Sequence, residues 1–218
     1  MSAPTAGQLL ANNKPTFAFT VTDADSGVNP DTVTLQIDSQ TAVAASAMTN
    51  STVANGYQFT YVPASALSDG AHTVKINAKD FDGNAALQAT RTFTVDTVPP
   101  TLSVTAPAAG LVTNNKNLTV RGTTNDVTSS PCTVTVKLNA GSAGSVTVAS
   151  DGSFSKDLTL TEGTNTITVV ATDGVGKTTT VTRTVNLDTS PPVIKGVTLT
   201  PNPVDAGATF VISVIVED

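Results

Sequence analysis

Leu67-Ser68-Asp69-Gly70-Ala71-His72-Thr73-Val74-Lys75-Ile76-Asn77-Ala78-Lys79-Asp80 returns later in the chain as Leu160-Thr161-Glu162-Gly163-Thr164-Asn165-Thr166-Ile167-Thr168-Val169-Val170-Ala171-Thr172-Asp173. The register holds from Leu67 and Leu160 through to Asp80 and Asp173. Each copy then passes a Gly turn, enters a second polar/apolar alternation and closes on Asp-Thr-x-Pro-Pro, at Asp96–Pro100 and Asp188–Pro192. A repeat of roughly 90 residues is far longer than a solenoid unit of about 20–50 residues and fits a small domain with its own core. Val74, Ile76 and Ala78 share one parity, while Thr73, Lys75 and Asn77 take the other. Ile167, Val169 and Ala171 repeat the pattern against Thr166 and Thr168. A period of two marks a strand with one face on a core and one in water. The return strands carry Phe93 and Val95, then Val185 and Leu187, on the inward parity. Arg91 and Arg183 share that parity. Either a bulge or strand end turns them outward, or each is partly buried against a carboxylate.

A chain of 218 residues has room for about two domains. Charged residues make up only 13%, aromatics 4%, and Trp is absent. Small and β-branched residues dominate, which suits many short strands and polar turns. The net charge of −6 argues against nucleic acid or an anionic membrane as partner. No apolar run reaches the length of a membrane-spanning helix. Met1–Gly7 lacks the basic and apolar regions of a signal peptide, so the expectation is a chain that bypasses that export route or has a trimmed start. Cys132 is the single cysteine, so no intrachain disulfide can form. Its parity with Val134 and Val136 predicts a small buried apolar residue. The single histidine, His72, stands where the second copy has Asn165 and is read as structural.

A second phrase also repeats. Ala3-Pro4-Thr5-Ala6-Gly7-Gln8-Leu9-Leu10-Ala11-Asn12-Asn13-Lys14 returns as Ala106-Pro107-Ala108-Ala109-Gly110-Leu111-Val112-Thr113-Asn114-Asn115-Lys116. In the second copy a strand, Thr101–Val104, precedes it, so the first unit is expected to lack the start of its first strand. Further strands are expected near Thr16–Asp23, Thr32–Ile37, Tyr57–Tyr61, His72–Asp80 and Ala86–Asp96. In the second unit they fall near Asn117–Thr123, Cys132–Leu138, Ser145–Val148, Ser153–Leu160, Thr164–Asp173 and Lys177–Leu187. Turn signals separate them at the spacing of a sandwich. Ala42–Met48 is a loop or a single helical turn. Val193–Leu199 and Thr209–Val216, divided by Pro201-Asn202-Pro203, read as the first strands of a third unit. Two strands cannot close a sandwich; the segment is cropped, pairs with another subunit, or folds back. The expected architecture is all-β, with tandem sandwiches over 1–98 and 99–190 and an incomplete third over 191–218.

Asp23-Ala24-Asp25-Ser26-Gly27-Val28-Asn29-Pro30, Asp69–Val74 and Asp80-Phe81-Asp82-Gly83-Asn84 resemble the recurring pattern of bacterial immunoglobulin-like modules. Asp151-Gly152-Ser153-Phe154 with Glu162–Ile167 is similar to the glucodextranase B-like domain found beside some glycoside hydrolases. The tandem as a whole, through Pro201–Gly207, looks most like Ig-like proteins of Gram-positive prophages, often encoded beside tail genes. The resemblance implies immunoglobulin-like β-sandwiches. The core Trp and disulfide pair of antibody domains are missing.

In such a sandwich the B–C and F–G loops share one end. Asp23, Asp25 and Asp31 flank the first loop, and Asp80, Asp82 and Asn84 line the second. These are candidate calcium ligands, since hard oxygen donors are what calcium takes; Asx-turns that cap the loops account for the same residues. The second unit keeps only Asp126 and Asp173 there, so a site is expected in the first unit, at the end facing away from the second. No catalytic residue and no other cofactor are expected. Tyr57, Tyr61 and Phe81 are the side chains available to a glycan. The resemblance implies a non-enzymatic structural or adhesive component of a phage tail or related virion. Its partners are other virion or surface proteins and host cell-surface glycans, without nucleic acid or membrane insertion. The alternative is an extracellular or cell-surface stalk of an adhesin, or an accessory module of a polysaccharide-degrading enzyme. A hydrolase built on the loop carboxylates is set aside, because no aromatic platform accompanies them.

Overall fold

The computed structural model describes residues 1–200, 206, 207, 209 and 211–217. The first sandwich is built from β1 (Gln8–Leu10), β2 (Phe17–Thr22), β3 (Val28–Ile37), β4 (Val43–Ala44), β5 (Thr49–Val53), β6 (Gly56–Tyr61), β7 (Gly70–Asp80) and β8 (Ala89–Val95). One sheet runs β1-β8-β7-β3-β4 and the other β2-β6-β5. The second sandwich is built from β9 (Thr101–Ala106), β10 (Leu111–Thr113), β11 (Asn117–Asn125), β12 (Thr133–Leu138), β13 (Gly144–Val146), β14 (Ser153–Thr159), β15 (Gly163–Thr172) and β16 (Thr178–Leu187). Its sheets run β10-β16-β15-β12-β13 and β14-β11-β9. The Ala-rich stretch forms β4 and a single 3-10 turn at Ala45–Ala47. Among the described residues no helix is long and apolar enough to cross a membrane.

The repeated stretch becomes β7 and β15, the strands that carry each core. His72, Val74, Ile76 and Ala78 are buried on β7, and Asn165, Ile167, Val169 and Ala171 on β15. Phe93 and Val95 of β8 close the first core with Phe17, Phe19 and Phe59 from the facing sheet. Phe17 meets Phe93 edge-on at 5.5 Å, and Phe19 stacks on Phe59 at 5.4 Å, both favourable aromatic geometries. The second core uses Val120, Val134, Ile167, Val169 and Val185 around Phe154. Cys132 is buried on the face of Val134 and Val136, as its parity requires.

The repeated opening phrase has a role that its alternation did not reveal. Ala3 bridges Ala18 in one sheet, the backbone turns at Gly7 (φ 68°), and β1 then pairs in parallel with β8 in the other sheet. Gly110 (φ 72°) makes the same turn before β10 pairs in parallel with β16. Glycine takes this left-handed conformation without steric cost. The opening segment thus crosses between the sheets and caps an edge of each.

His72 bridges Asp38 and the Ser68 carbonyl. Its Nδ1 lies 2.7 Å from Asp38 Oδ2 and its Nε2 2.7 Å from Ser68 O. Asp38 Oδ1 also accepts from Thr73 N at 2.7 Å. In the second sandwich Asn139 occupies the place of Asp38, with the same φ of 51°. Asn139 Nδ2 donates to Asn165 Oδ1, Asn165 Nδ2 donates to Thr161 O, and Thr166 N donates to Asn139 Oδ1. One geometry is thus built with a charged pair in the first unit and a neutral pair in the second.

Arg91 is exposed opposite Val74 in an unshifted ladder, so no bulge turns it outward. Arg183 is half-buried and donates to the Val104 carbonyl at 3.1 Å rather than to a carboxylate. β17 (Val193–Thr200) and β18 (Val211–Glu217) form a two-stranded antiparallel hairpin. Nearly all of its side chains are exposed. The Pro201-Asn202-Pro203 break lies outside the described residues.

Phe93→Ala should destabilise the first sandwich by roughly 3–5 kcal/mol, the usual cost of a buried Phe→Ala; urea unfolding measures it. Burial lowers the His72 pKa, but the Asp38 hydrogen bond, the Ser68 carbonyl and the Asp38 charge outweigh it, leaving a net rise. The folded state therefore holds the proton more tightly than the unfolded chain. The stabilisation is complete below the unfolded value of about 6.5 and is lost as pH rises through the folded value. The melting temperature of the first sandwich should fall as pH rises above the unfolded value of about 6.5. His72→Asn with Asp38→Asn, copying the second unit, should flatten that profile.

Candidate functional site

The first unit's loop residues converge only in part. Asp23, Asp80 and Asn84 line one shallow cleft with Val21 and Val28, and Asp25 lies beside Phe81 in a neighbouring one. Asp31 and Asp82 are exposed and line neither cleft. The loop is capped from within. Asp23 accepts from Asp25 N and Ser26 Oγ. Asp80 accepts Asn84 N and Asn84 Nδ2, each at 2.7 Å. The Asn84 side chain holds the Asp80 carboxyl below its ordinary range. These are the Asx-type caps that the residue types allow.

Three carboxylates gather elsewhere. Asp96, Asp126 and Asp173 each place an oxygen within 4.8 Å of the other two, and among the described residues they form the only such acidic, Cys or His group. Two of its three members come from the second unit, outside the residues expected to form a site in the first. Asp126 and Asp173 are the B–C and F–G loop residues of the second sandwich. The third member, Asp96, follows β8 at the end of the first. A return strand ends at the pole opposite its own F–G loop, so Asp96 faces the loops of the next unit.

Backbone donors orient the group. Asp126 Oδ1 accepts Thr128 N and Ser129 N, each at 2.8 Å. Asp173 Oδ1 accepts Val175 N and Lys177 N at 2.9 and 2.8 Å. Asp96 Oδ1 accepts Val98 N at 3.2 Å. Asp96 Oδ2 and Asp173 Oδ2 are buried with no hydrogen-bond partner. Burial depends on the neighbouring unit. Asp96 is 0% exposed, whereas the equivalent Asp188 is exposed, and Asp23 and Asp80 are less buried than their counterparts Asp126 and Asp173.

The linker beside this cluster is held from both sides. Asp69 accepts Thr97 N at 2.7 Å and Thr97 Oγ1 at 3.0 Å. Thr179 Oγ1 of the second sandwich donates to the Pro100 carbonyl. Gly174 sits against Leu9 of the first sandwich and Ser129 of its own, with no room for a Cβ without displacement. Glu162 repeats the role of Asp69, accepting Thr189 N and Thr189 Oγ1.

Residues 3–97 match the family described as a bacterial Ig-like domain, and residues 100–189 match the family described as glucodextranase, domain B. The chain is a tandem of immunoglobulin-like repeats. Bacillopeptidase F of Bacillus subtilis (strain 168) is 34% identical to it over 130 residues, 60% of this chain. The match spans only 8% of that protein's length. The fibronectin(III)-like modules of Clostridium thermocellum CbhA align over 85% of this chain and 92% of theirs, with 19% identity and a TM-score of 0.44. The D00-D0 domain of Intimin aligns over 85% of this chain and 97% of its own, with 15% identity and a TM-score of 0.38. As for the aromatic candidates in the first repeat, Tyr57 and Tyr61 pack against the core, while Phe81 is 63% exposed.

Burial pushes the Cys132 thiol up, and the negative field of Asp126, Asp173 and Asp96 adds to the rise. A thiol so placed is a poor nucleophile, because the thiolate is the reactive form. Cys132 should therefore react with a disulfide reagent at mildly alkaline pH far more slowly in the folded chain than in urea. Equal rates in the two states would contradict its placement.

Proposed function

We propose that this chain is a non-enzymatic spacer of a larger bacterial surface or secreted protein, holding an active or adhesive part away from its anchor. The observation that carries this reading is the clamped joint. Asp69 ties Thr97, Thr179 ties Pro100, and two prolines with fixed φ stand between the repeats. Such a joint limits hinge motion and transmits reach. The repeats run over 1–98 and 99–190 in this proposal, and 191–218 begins a third.

The polar groups support a non-enzymatic role. Both nitrogens of the single histidine are engaged, one by Asp38 and the other by the Ser68 carbonyl. The single thiol is buried and its pKa is raised. A nucleophile with an oriented base, as covalent catalysis needs, is therefore not available from these two residues. The partial match to Bacillopeptidase F favours an accessory segment of a longer polypeptide. In a second reading the same spacer belongs to a phage tail or related virion, with other virion proteins and host glycans as partners. The prophage resemblance of the whole tandem favours that reading.

Immunoblotting of the source culture separates them. The first reading predicts signal in the wall or medium, at a mass well above that of these 218 residues. The second predicts signal in a sedimented particle fraction after prophage induction. A free cytosolic chain of this size contradicts both, and glycan turnover abolished by Asp80→Asn contradicts the non-enzymatic role.

A further inference from the structure

We propose that Asp96, Asp126 and Asp173 form a binding site for a hard divalent cation of the calcium type, completed only when two consecutive repeats meet. The three carboxylates are 0%, 7% and 7% exposed. Buried charge is stable only when paired, protonated or metal-bound. Among the described residues no Lys, Arg or His makes an ion pair with any of them. Their Oδ1 atoms are turned toward backbone N–H donors. Asp96 Oδ2 and Asp173 Oδ2 remain, buried and without a donor, in the same cluster. Two unpartnered oxygens beside a third carboxylate lack positive charge, and a cation supplies it.

The donors choose the class of ion. Three carboxylates suit calcium or magnesium, whereas thiolate and imidazole select softer metals. Calcium accepts mono- or bidentate carboxylates in irregular geometry, while magnesium demands a near-ideal octahedron and keeps several waters. A closed site with three fixed carboxylates therefore favours calcium.

The inference does not rest on the spacer reading, since a site shared by two repeats binds an ion whatever the chain carries. It does assign the joint a control. The ion draws Asp96 of one repeat toward Asp126 and Asp173 of the next, and its removal leaves like charges facing one another across the junction.

The test is calorimetric titration of the full chain with calcium chloride after EDTA treatment, together with thermal unfolding in calcium and in EDTA. One calcium per chain and a higher melting temperature in calcium are expected. Asp96→Asn and Asp173→Asn should weaken binding at least about tenfold, because affinity follows the charge count of the ligands. In EDTA both variants should melt at or above the parent temperature, since Asn keeps the Oδ1 acceptor and removes a like charge. A merely structural role would lower the melting temperature equally in both solutions, and that result overturns the proposal. So does the absence of binding heat and of any thermal shift up to about 10 mM calcium, beyond the weak range of extracellular calcium modules. Binding that survives both variants and disappears in Asp80→Asn also overturns it, placing the ion on Asp23, Asp25, Asp31, Asp80, Asp82 and Asn84 of the first repeat.

Discussion

Asp96 is wholly buried although it follows the last strand of its own sandwich, because the loops of the next repeat close over it. The arrangement of the chain depends on that closure. Asp96 N donates to Leu10 O, which ties the carboxylate to the crossing segment of the first repeat. The next residue, Thr97, is held by Asp69, and Pro100 by Thr179. The first repeat's end and the second repeat's B–C and F–G loops thus meet in a fixed register. The backbone supplies that register, and the acidic cluster turns it into a site. Buried like charges oppose the contact unless something positive lies between them.

Repetition also shows which parts of the structure are charge-dependent. His72 with Asp38 and Asn165 with Asn139 fill the same place and hold the same turn. The geometry therefore does not require charge. The charged version makes the first sandwich respond to pH through a single histidine, while the amide version makes no such demand. Asp69 and Glu162 show the opposite pattern, where a carboxylate is retained and grips the threonine that follows the repeated Asp.

Much of this was legible in the sequence. Strict alternation on β7, β15, β8 and β16 placed Phe93, Val95, Ile167 and Val185 in the cores, because each strand buries a single face. β5 was not legible, since Thr49-Asn50-Ser51-Thr52-Val53 is exposed throughout and carries no alternation. β1 and β10 escaped notice because strands of three residues are too short to show a period. Arg183 followed neither expected course, because a backbone carbonyl of the facing sheet was available to it. The loop carboxylates were found by composition and loop position. Asp96 was not, because its partners belong to another repeat and no local pattern encodes a contact across a linker.

The central claim is that the two sandwiches form one cation-dependent body. Residual dipolar couplings measured on the labelled full chain test it most directly, because each sandwich reports its own alignment tensor. With calcium, the two repeats should fit a single tensor in the orientation described here; in EDTA, the two tensors should diverge as the joint loosens. Distinct tensors in calcium would contradict the account, since the carboxylates of Asp96, Asp126 and Asp173 could not then stay together.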